Sequence, residues 1–189
     1  MPKGIILKGI GGFYYVKTDN GVIECKARGK FRKDDIIPLV GDAVEIAISD
    51  HDATKGSIEK IFPRTVEIVR PPVANVNQLV IVTAIVSPVP NLVFIDKLLL
   101  AAEDRALDII IVINKIDLDE QEKNYIKLYE IYTNIGYSVV CTSYKTNQGI
   151  KQLREMLNGK ITAFAGSSGV GKSSLLNAVD PRFTLQTGD

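Results

Sequence analysis

Two patterns of apolar positions divide this chain. As far as about Arg70 the apolar residues come in short alternating runs. "FYYVKT" and "GVIECKA" are rich in β-branched and aromatic residues, and between them Asp19–Gly21 reads "DNG", a tight hairpin signal. "DAVEIAI" alternates apolar and polar from Ala43 to Ile48, and "GSIEKIF" is a further short strand. Short strands with turn signals at close spacing predict a small all-β barrel. Pro71 and Pro72 follow, in "VRPPVANVNQ"; proline neither continues a helix nor sits in a central strand, so the domain boundary is expected there, giving units 1–70 and 71–189.

Beyond the prolines the pattern changes. "QLVIVTAIV" and "LDIIIVIN" are unbroken apolar runs, as expected of strands buried on both faces of a parallel sheet. "FIDKLLLAAEDRA" has helical period, with Ile95, Leu98, Leu99 and Ala102 on one face. A second helix lies in "EQEKNYIKLYEIYTNIG", ended by Gly136, and a third in "GIKQLREMLNG", ended by Gly159. "YSVVCTS" and "KITAFAG" are the intervening strands, and "GKSSLLNAV" opens a fourth helix. Strict alternation of strand and helix predicts βαβ units around a mainly parallel sheet. The fold class is therefore α/β, with a small β-barrel in front. No internal repeat or low-complexity stretch is present.

Composition changes this picture little. Of 189 residues, 46% are hydrophobic and 24% charged, and the net charge is +1, so no global basic field exists. No apolar run is long enough for a membrane-spanning helix, and the start "MPKGIILKGIGG" is too broken for a secretory signal. Two cysteines, Cys25 and Cys141, and one histidine, His51, form neither a disulfide framework nor a zinc site. A reducing cytoplasmic setting, no membrane partner and a monomer are expected. One local cluster stands out: "KARGKFRK", with Lys26, Arg28, Lys30, Arg32 and Lys33 around Phe31.

The chemistry is concentrated in three loops. "GSSGVGKS" supplies the full pattern G-x-x-x-x-G-K-[ST] with Gly166, Ser167, Ser168, Gly169, Val170, Gly171, Lys172 and Ser173, and Ser174 follows. It stands between an apolar strand and an amphipathic helix, the context a phosphate-binding loop requires. Glycines let backbone N–H groups turn onto an anion, and the helix directs its positive end at it. Lys172 is expected to reach the β- and γ-phosphates, and the Ser173 hydroxyl to ligate Mg²⁺. The motif alone specifies a nucleoside triphosphate and no particular base.

The base is specified by "NKID", Asn114, Lys115, Ile116 and Asp117, at the C-terminal end of a buried strand, where ligands bind in open α/β sheets. An aspartate there accepts hydrogen bonds from guanine N1–H and the N2 amine; adenine has no such donor pair, which argues against an ATP-using kinase. Asn114 is placed to tie this loop to the phosphate loop, and the Lys115 stem to cover the base plane. "TSYK", Thr142–Lys145, ends the next strand. It matches the third base-contacting loop of guanine-binding domains, with Ser143 as a brace and the Tyr144 N–H facing guanine O6; tyrosine replaces the usual alanine.

In ordinary guanine-nucleotide-binding domains the phosphate loop comes first. Here it comes after NKID and TSYK, so the domain reads as circularly permuted, which only moves the termini between surface loops. With "KGIGGFYYV", "RPPVANVNQLVIV" and "FAGSSGVGKSSLLNAV", the whole chain resembles the ribosome small-subunit-dependent GTPase A family. That resemblance implies an N-terminal OB-fold that contacts ribosomal RNA, a permuted GTPase domain binding GTP or GDP with Mg²⁺, and a role in late maturation of the small ribosomal subunit, which activates the enzyme. The cluster from Lys26 to Lys33 is then a candidate RNA surface, with Phe31 to stack a base; it also suits a strand whose charged face is simply solvated. The resemblance further implies switch segments and a C-terminal zinc-binding domain. The sequence stops at "PRFTLQTGD" without them and without zinc ligands. A GTPase domain incomplete at its C-terminus is therefore expected, with no catalytic group identifiable. A nucleotide-gated RNA-binding module of little turnover is the alternative.

Overall fold

The computed structural model describes all residues except 34–35, 69–71, 121–122, 183–184 and 187–189; the side chains of Arg32 and Lys33 also lie outside the description. The chain divides into two compact units, Met1–Val76 and Asn77–Asp189.

In the first unit five strands close a barrel: β1 (Lys3–Ile10), β2 (Phe13–Thr18), β3 (Gly21–Ala27), β4 (Ala43–Ile48) and β5 (Lys55–Ile61), in the order β1-β2-β3-β5-β4. β1 pairs antiparallel with β4 to complete the ring, and β3 runs parallel to β5. Closure removes the exposed edges a five-stranded sheet would otherwise present. The "DNG" signal produces the two-residue turn that pairs Thr18 with Gly21. Alternate side chains point inward, so Ile6, Val16, Ile23, Cys25, Val44, Ile46 and Ile58 fill the interior.

Phe31 joins that core. "KARGKFRK" is not one strand: β3 stops at Ala27, and α1 (Gly29–Lys33) is a short helix that turns Phe31 inward until it is 6% exposed. Burying a phenyl ring stabilises by roughly 1.5–3 kcal/mol, which outweighs any preference of its charged neighbours for an extended run. Phe31 is therefore unavailable to stack a base. Arg28 is bound to Glu59 at 2.8 Å.

The unit continues past the prolines. β6 (Glu67–Ile68) pairs with β7 (Val73–Ala74), and the Ala74 amide donates to the Val40 carbonyl at 2.8 Å. The Asn75 side chain accepts from the Thr65 amide and donates to the Gly41 carbonyl. These bonds hold residues 73–76 to the barrel unit, so the division falls after Val76 rather than at Pro71–Pro72. Beneath this segment Asp42, 0% exposed, accepts two parallel hydrogen bonds from Arg64, both 2.8 Å, and one from the Leu39 amide.

The second unit is a four-stranded parallel sheet. β8 (Gln78–Ala84), β9 (Asp108–Asn114), β10 (Ser138–Thr142) and β11 (Thr162–Ala165) lie in the order β10-β9-β8-β11. Every residue of β8 is buried. The helices are α2 (Leu92–Glu103), α3 (Lys123–Asn134), α4 (Ile150–Leu157) and α5 (Lys172–Val179). α2 begins where Asn91 accepts from the Phe94 amide, and buries Ile95, Leu99 and Ala102, while Leu98 is half-buried. One face of the sheet packs Val80, Val82, Ile110, Val112 and Val140 against Ile150 and Leu153 of α4 and Leu175 and Val179 of α5. α2 and α3 pack on the strands at the other face. α4 carries the chain from β10, at one edge, to β11, at the other, and Arg154 at its end donates to the Ala178 and Val179 carbonyls at the end of α5.

The registers align Ala84, Asn114 and Thr142 at one level, and Ala165 pairs with Ile81. All four strands therefore end at the same edge, and the three candidate loops leave from it. The strand order reverses between β8 and β11, the place where open α/β sheets bind ligands.

Candidate functional site

The phosphate-type loop leaves β11 at Gly166, whose φ is +151° and whose hypothetical Cβ would lie 2.2 Å from the Val82 carbonyl oxygen. Only glycine lets the backbone pass there. The loop closes at Gly171, in the left-handed region, where a Cβ would meet the Asn114 amide nitrogen at 2.5 Å. α5 starts at the next residue with no side-chain cap, so its first N–H groups are left for an anion. The Lys172 ammonium curls back into the loop and donates to the Gly166 and Ser167 carbonyls at 2.8 and 2.7 Å. Burial holds its pKa below the ordinary lysine value. Ser167, Ser173 and Ser174 are half-buried around it, and Ser168 and Gly169 are exposed.

Val170, 2% exposed, anchors the loop in the sheet core. Its carbonyl accepts a 2.9 Å hydrogen bond from the Asn114 side-chain amide, and the Thr142 hydroxyl donates to the Asn114 oxygen at 3.0 Å. Asn114 thus joins the ends of β9 and β10 to the loop after β11. The Lys115 ammonium donates to the Gly169 carbonyl at 2.7 Å and to the Ser87 carbonyl at 2.5 Å, stitching the loop after β8 to the same structure. Ile116 is buried and opens a one-turn 3-10 helix, Ile116–Leu118, that presents Asp117.

Asp117 is held from both sides. The Ser143 hydroxyl donates to one carboxylate oxygen at 2.6 Å, and the Lys145 ammonium stands 3.8 Å from the other. Ser143 is itself fixed by its amide on the Gln148 carbonyl and by accepting from the Thr146 amide. Tyr144 projects from this turn and is 58% exposed. A cavity of about 270 Å³ opens between these groups, lined by Asn114, Lys115, Asp117, Tyr144, Gly171 and Ser174, with Ser87, Leu118 and Lys145 completing the wall. All three loops singled out in the sequence meet here. Ser87 was not singled out, and Thr142 was given no role of its own: each acts through one hydrogen bond to a residue distant in sequence, and neither type is diagnostic by itself. For Thr142 the only available signal was its place in "TSYK".

The neighbouring Asp119 carboxylate accepts from the Asn124 and Tyr125 amides at 2.8 and 2.9 Å and tethers the start of α3. The Tyr125 amide is the leading cause of a pKa below the usual carboxylate range. A carboxyl with a lowered folded value contributes stability that is complete above its unfolded pKa and fades as pH falls through the folded one. Asp119→Asn is accordingly expected to lower the thermal midpoint at pH 7, by a margin that shrinks on acidification through the carboxylate range. An equal loss at acid and neutral pH would show that the charge contributes nothing.

No helix among the described residues is long and apolar enough to cross a membrane. The family model described as RsgA GTPase matches residues 61–189, and that described as RsgA N-terminal domain matches residues 3–58. Among curated proteins, the small ribosomal subunit biogenesis GTPase RsgA of Alkaliphilus metalliredigens is 49% identical over all of this chain and 64% of its own length. The protein of that name from Caldanaerobacter subterraneus is 48% identical over 99% of this chain and 62% of its own. The chain thus spans a little under two thirds of the length of these relatives. YjeQ from Thermotoga maritima superposes with a TM-score of 0.87 at 40% identity, over 99% of this chain and 68% of that one. YloQ, a circularly permuted GTPase, gives 0.81 at 41% identity, over 96% of this chain and 65% of that one.

Proposed function

The chain belongs to the RsgA GTPase family, and from that premise we propose that it binds GTP and GDP through the site at the sheet edge and acts, by hydrolysing GTP, in biogenesis of the small ribosomal subunit. The observation that carries this reading is the pairing of a phosphate-type loop with an oriented aspartate. Ser143 and Lys145 fix the Asp117 carboxylate at the cavity wall, where it can accept from guanine N1–H and the N2 amine. Asn114 holds that base-reading loop to the phosphate loop through Val170, so base and phosphates are gripped by one rigid frame.

The phosphates would lie in the Gly166–Gly171 turn over the start of α5. Lys172 is already inside the loop, and an incoming phosphate would replace the two carbonyls as its partner. Ser173, in the first turn of α5, offers a hydroxyl oxygen, a hard ligand suited to Mg²⁺ together with phosphate oxygens. Bound Mg²⁺ would neutralise charge developing on the transferred phosphoryl group. Ser173→Ala should therefore bring GTP affinity measured in Mg²⁺ down to the value measured in EDTA. Retention of the Mg²⁺ effect would remove Ser173 from the metal site.

On the barrel, the proposed RNA face moves away from Phe31. Lys8 lies over the Tyr15 ring at 5.6 Å and Lys26 over the Phe13 ring at 4.9 Å, on neighbouring strands β1, β2 and β3. Cations interleaved with half-exposed aromatics suit a nucleic-acid backbone and its bases. Replacing both Lys8 and Lys26 by alanine should flatten the dependence of log K on log salt for ribosomal RNA by about 1.4–1.8 units, one phosphate contact per lysine. An unchanged slope would place RNA elsewhere. This reading implies a cytoplasmic protein working as a monomer on the subunit.

The test of the central reading is calorimetric titration with GDP and ADP, followed by GTP turnover with and without purified small ribosomal subunits. Micromolar or tighter GDP binding, no ADP binding and subunit-stimulated turnover support it. GDP binding without turnover in either condition would support a nucleotide-gated RNA-binding module, and equal affinity for ADP would overturn the guanine assignment.

A further inference from the structure

The cavity has an edge reader and one apolar wall accounted for, but a planar base has two faces. Lys115 is pinned by its ammonium to the Ser87 and Gly169 carbonyls, which draws its hydrocarbon stem along one side of the cavity. Asp117 addresses the edge of the base. Besides Leu118, the apolar lining includes the Tyr144 ring. It is 58% exposed, it belongs to neither core cluster, and it stands on the very turn whose Ser143 holds Asp117. The turn is rigid: the Ser143 amide bonds the Gln148 carbonyl at 3.1 Å and the Thr146 amide bonds the Ser143 hydroxyl at 3.2 Å. An exposed aromatic ring carried on a hydrogen-bonded turn at the rim of a base-sized cavity has an evident partner in the π-face of the base.

We propose that Tyr144 covers one face of the bound base and slows nucleotide release, a role of its side chain separate from any hydrogen bond made by its backbone N–H. The proposal rests on the guanine-nucleotide reading of this site. Stacking is indifferent to which edge groups the base carries, because every base has a π-face. Removal of the ring should therefore weaken all purine nucleotides the pocket accepts by one common factor, roughly tenfold. Asp117, by contrast, distinguishes purines by their N2 amine.

Dissociation of N-methylanthraniloyl-GDP from the whole chain, and competition by GDP and by inosine diphosphate, which lacks the N2 amine, separate these effects. Tyr144→Ala should speed release roughly tenfold and weaken GDP and inosine diphosphate equally, while Tyr144→Phe restores the slow release. Wild-type release rates in Tyr144→Ala would overturn the proposal. So would a loss clearly larger for GDP than for inosine diphosphate, which would mean that the substitution acts by disturbing the Ser143–Asp117 brace. Failure of the wild-type chain to bind GDP at all would instead bring down the guanine reading, and this proposal with it.

Discussion

Asp117→Asn is expected to weaken GDP binding on the order of 100- to 1,000-fold and to create binding of xanthosine diphosphate. The carboxylate accepts two hydrogen bonds from guanine in the proposed complex, and bonds to a charged acceptor are worth about 1.5–3 kcal/mol each. An amide in its place turns an N–H toward guanine's own donors, leaving one of them unpaired in a closed site. Xanthine carries a carbonyl where guanine carries the N2 amine, so the same amide pairs with it. The Ser143 hydroxyl still has the amide oxygen as an acceptor, which keeps the turn in place. Side-by-side calorimetry with GDP and xanthosine diphosphate is the measurement. An unchanged GDP affinity would mean that Asp117 does not face the base.

The second large effect concerns stability. Arg64→Ala is expected to destabilise the barrel unit by about 3–5 kcal/mol, because it strands a buried carboxylate. Asp42 is 0% exposed and Arg64 supplies its two charged hydrogen bonds. Arg64 also donates to the Ile37 carbonyl and to Glu67, so its loss loosens three separate stretches of the unit. A domain holds only about 5–15 kcal/mol in total, so the variant barrel should be marginal at room temperature. Urea unfolding followed by near-ultraviolet tyrosine signals would report it. Replacing the pair together, as Arg64→Met with Asp42→Leu, should recover most of the loss. A single variant within 1 kcal/mol of wild type would show that water reaches Asp42.

The sequence was most legible where a residue's fate depends on its neighbours in the chain. The unbroken apolar runs became β8 and β9, and the alternation from Ala43 to Ile48 became β4 residue for residue. The permuted order of the loops was readable because each loop carries its own motif. β1 was less visible, since of its eight residues only Ile6 is fully buried, and a strand with one inward residue in register leaves little periodicity. Phe31 was misread because five cations around it made its surroundings look wet, whereas a barrel end three-dimensionally adjacent had room for its ring. The paired prolines suggested a boundary ahead of the division after Val76 for a similar reason. The bonds of Ala74 and Asn75 run to Val40, Gly41 and Thr65, and nothing within the "RPPVAN" stretch announces them. In the site, residue types and spacing pointed to Lys172, Asp117 and Ser143. The network that aims them, through Thr142, Ser87 and the Val170 carbonyl, depends on which strand ends the fold aligns.

The position of β11 has a consequence for how the molecule comes into being. β8, β9 and β10 are neighbours both in the chain and in the sheet, so they can zip together as each successive strand-helix unit is synthesised. β11 must travel back past two of them to pair Thr162 with Gln78. That is a long-range closure, intrinsically slower than the local pairings before it. Asn114, Asp117 and Ser143 are then expected to take up their places ahead of the phosphate-type loop, Asn114 gaining its Val170 partner only when β11 pairs. The phosphate-type loop is then the last of the three loops to reach the shared edge, and a nascent chain halted before the crossover to β11 would present the loops after β9 and β10 without it. On the proposed function, guanine nucleotide would also act as a folding ligand: by binding only the form with β11 in place, it would favour that pairing.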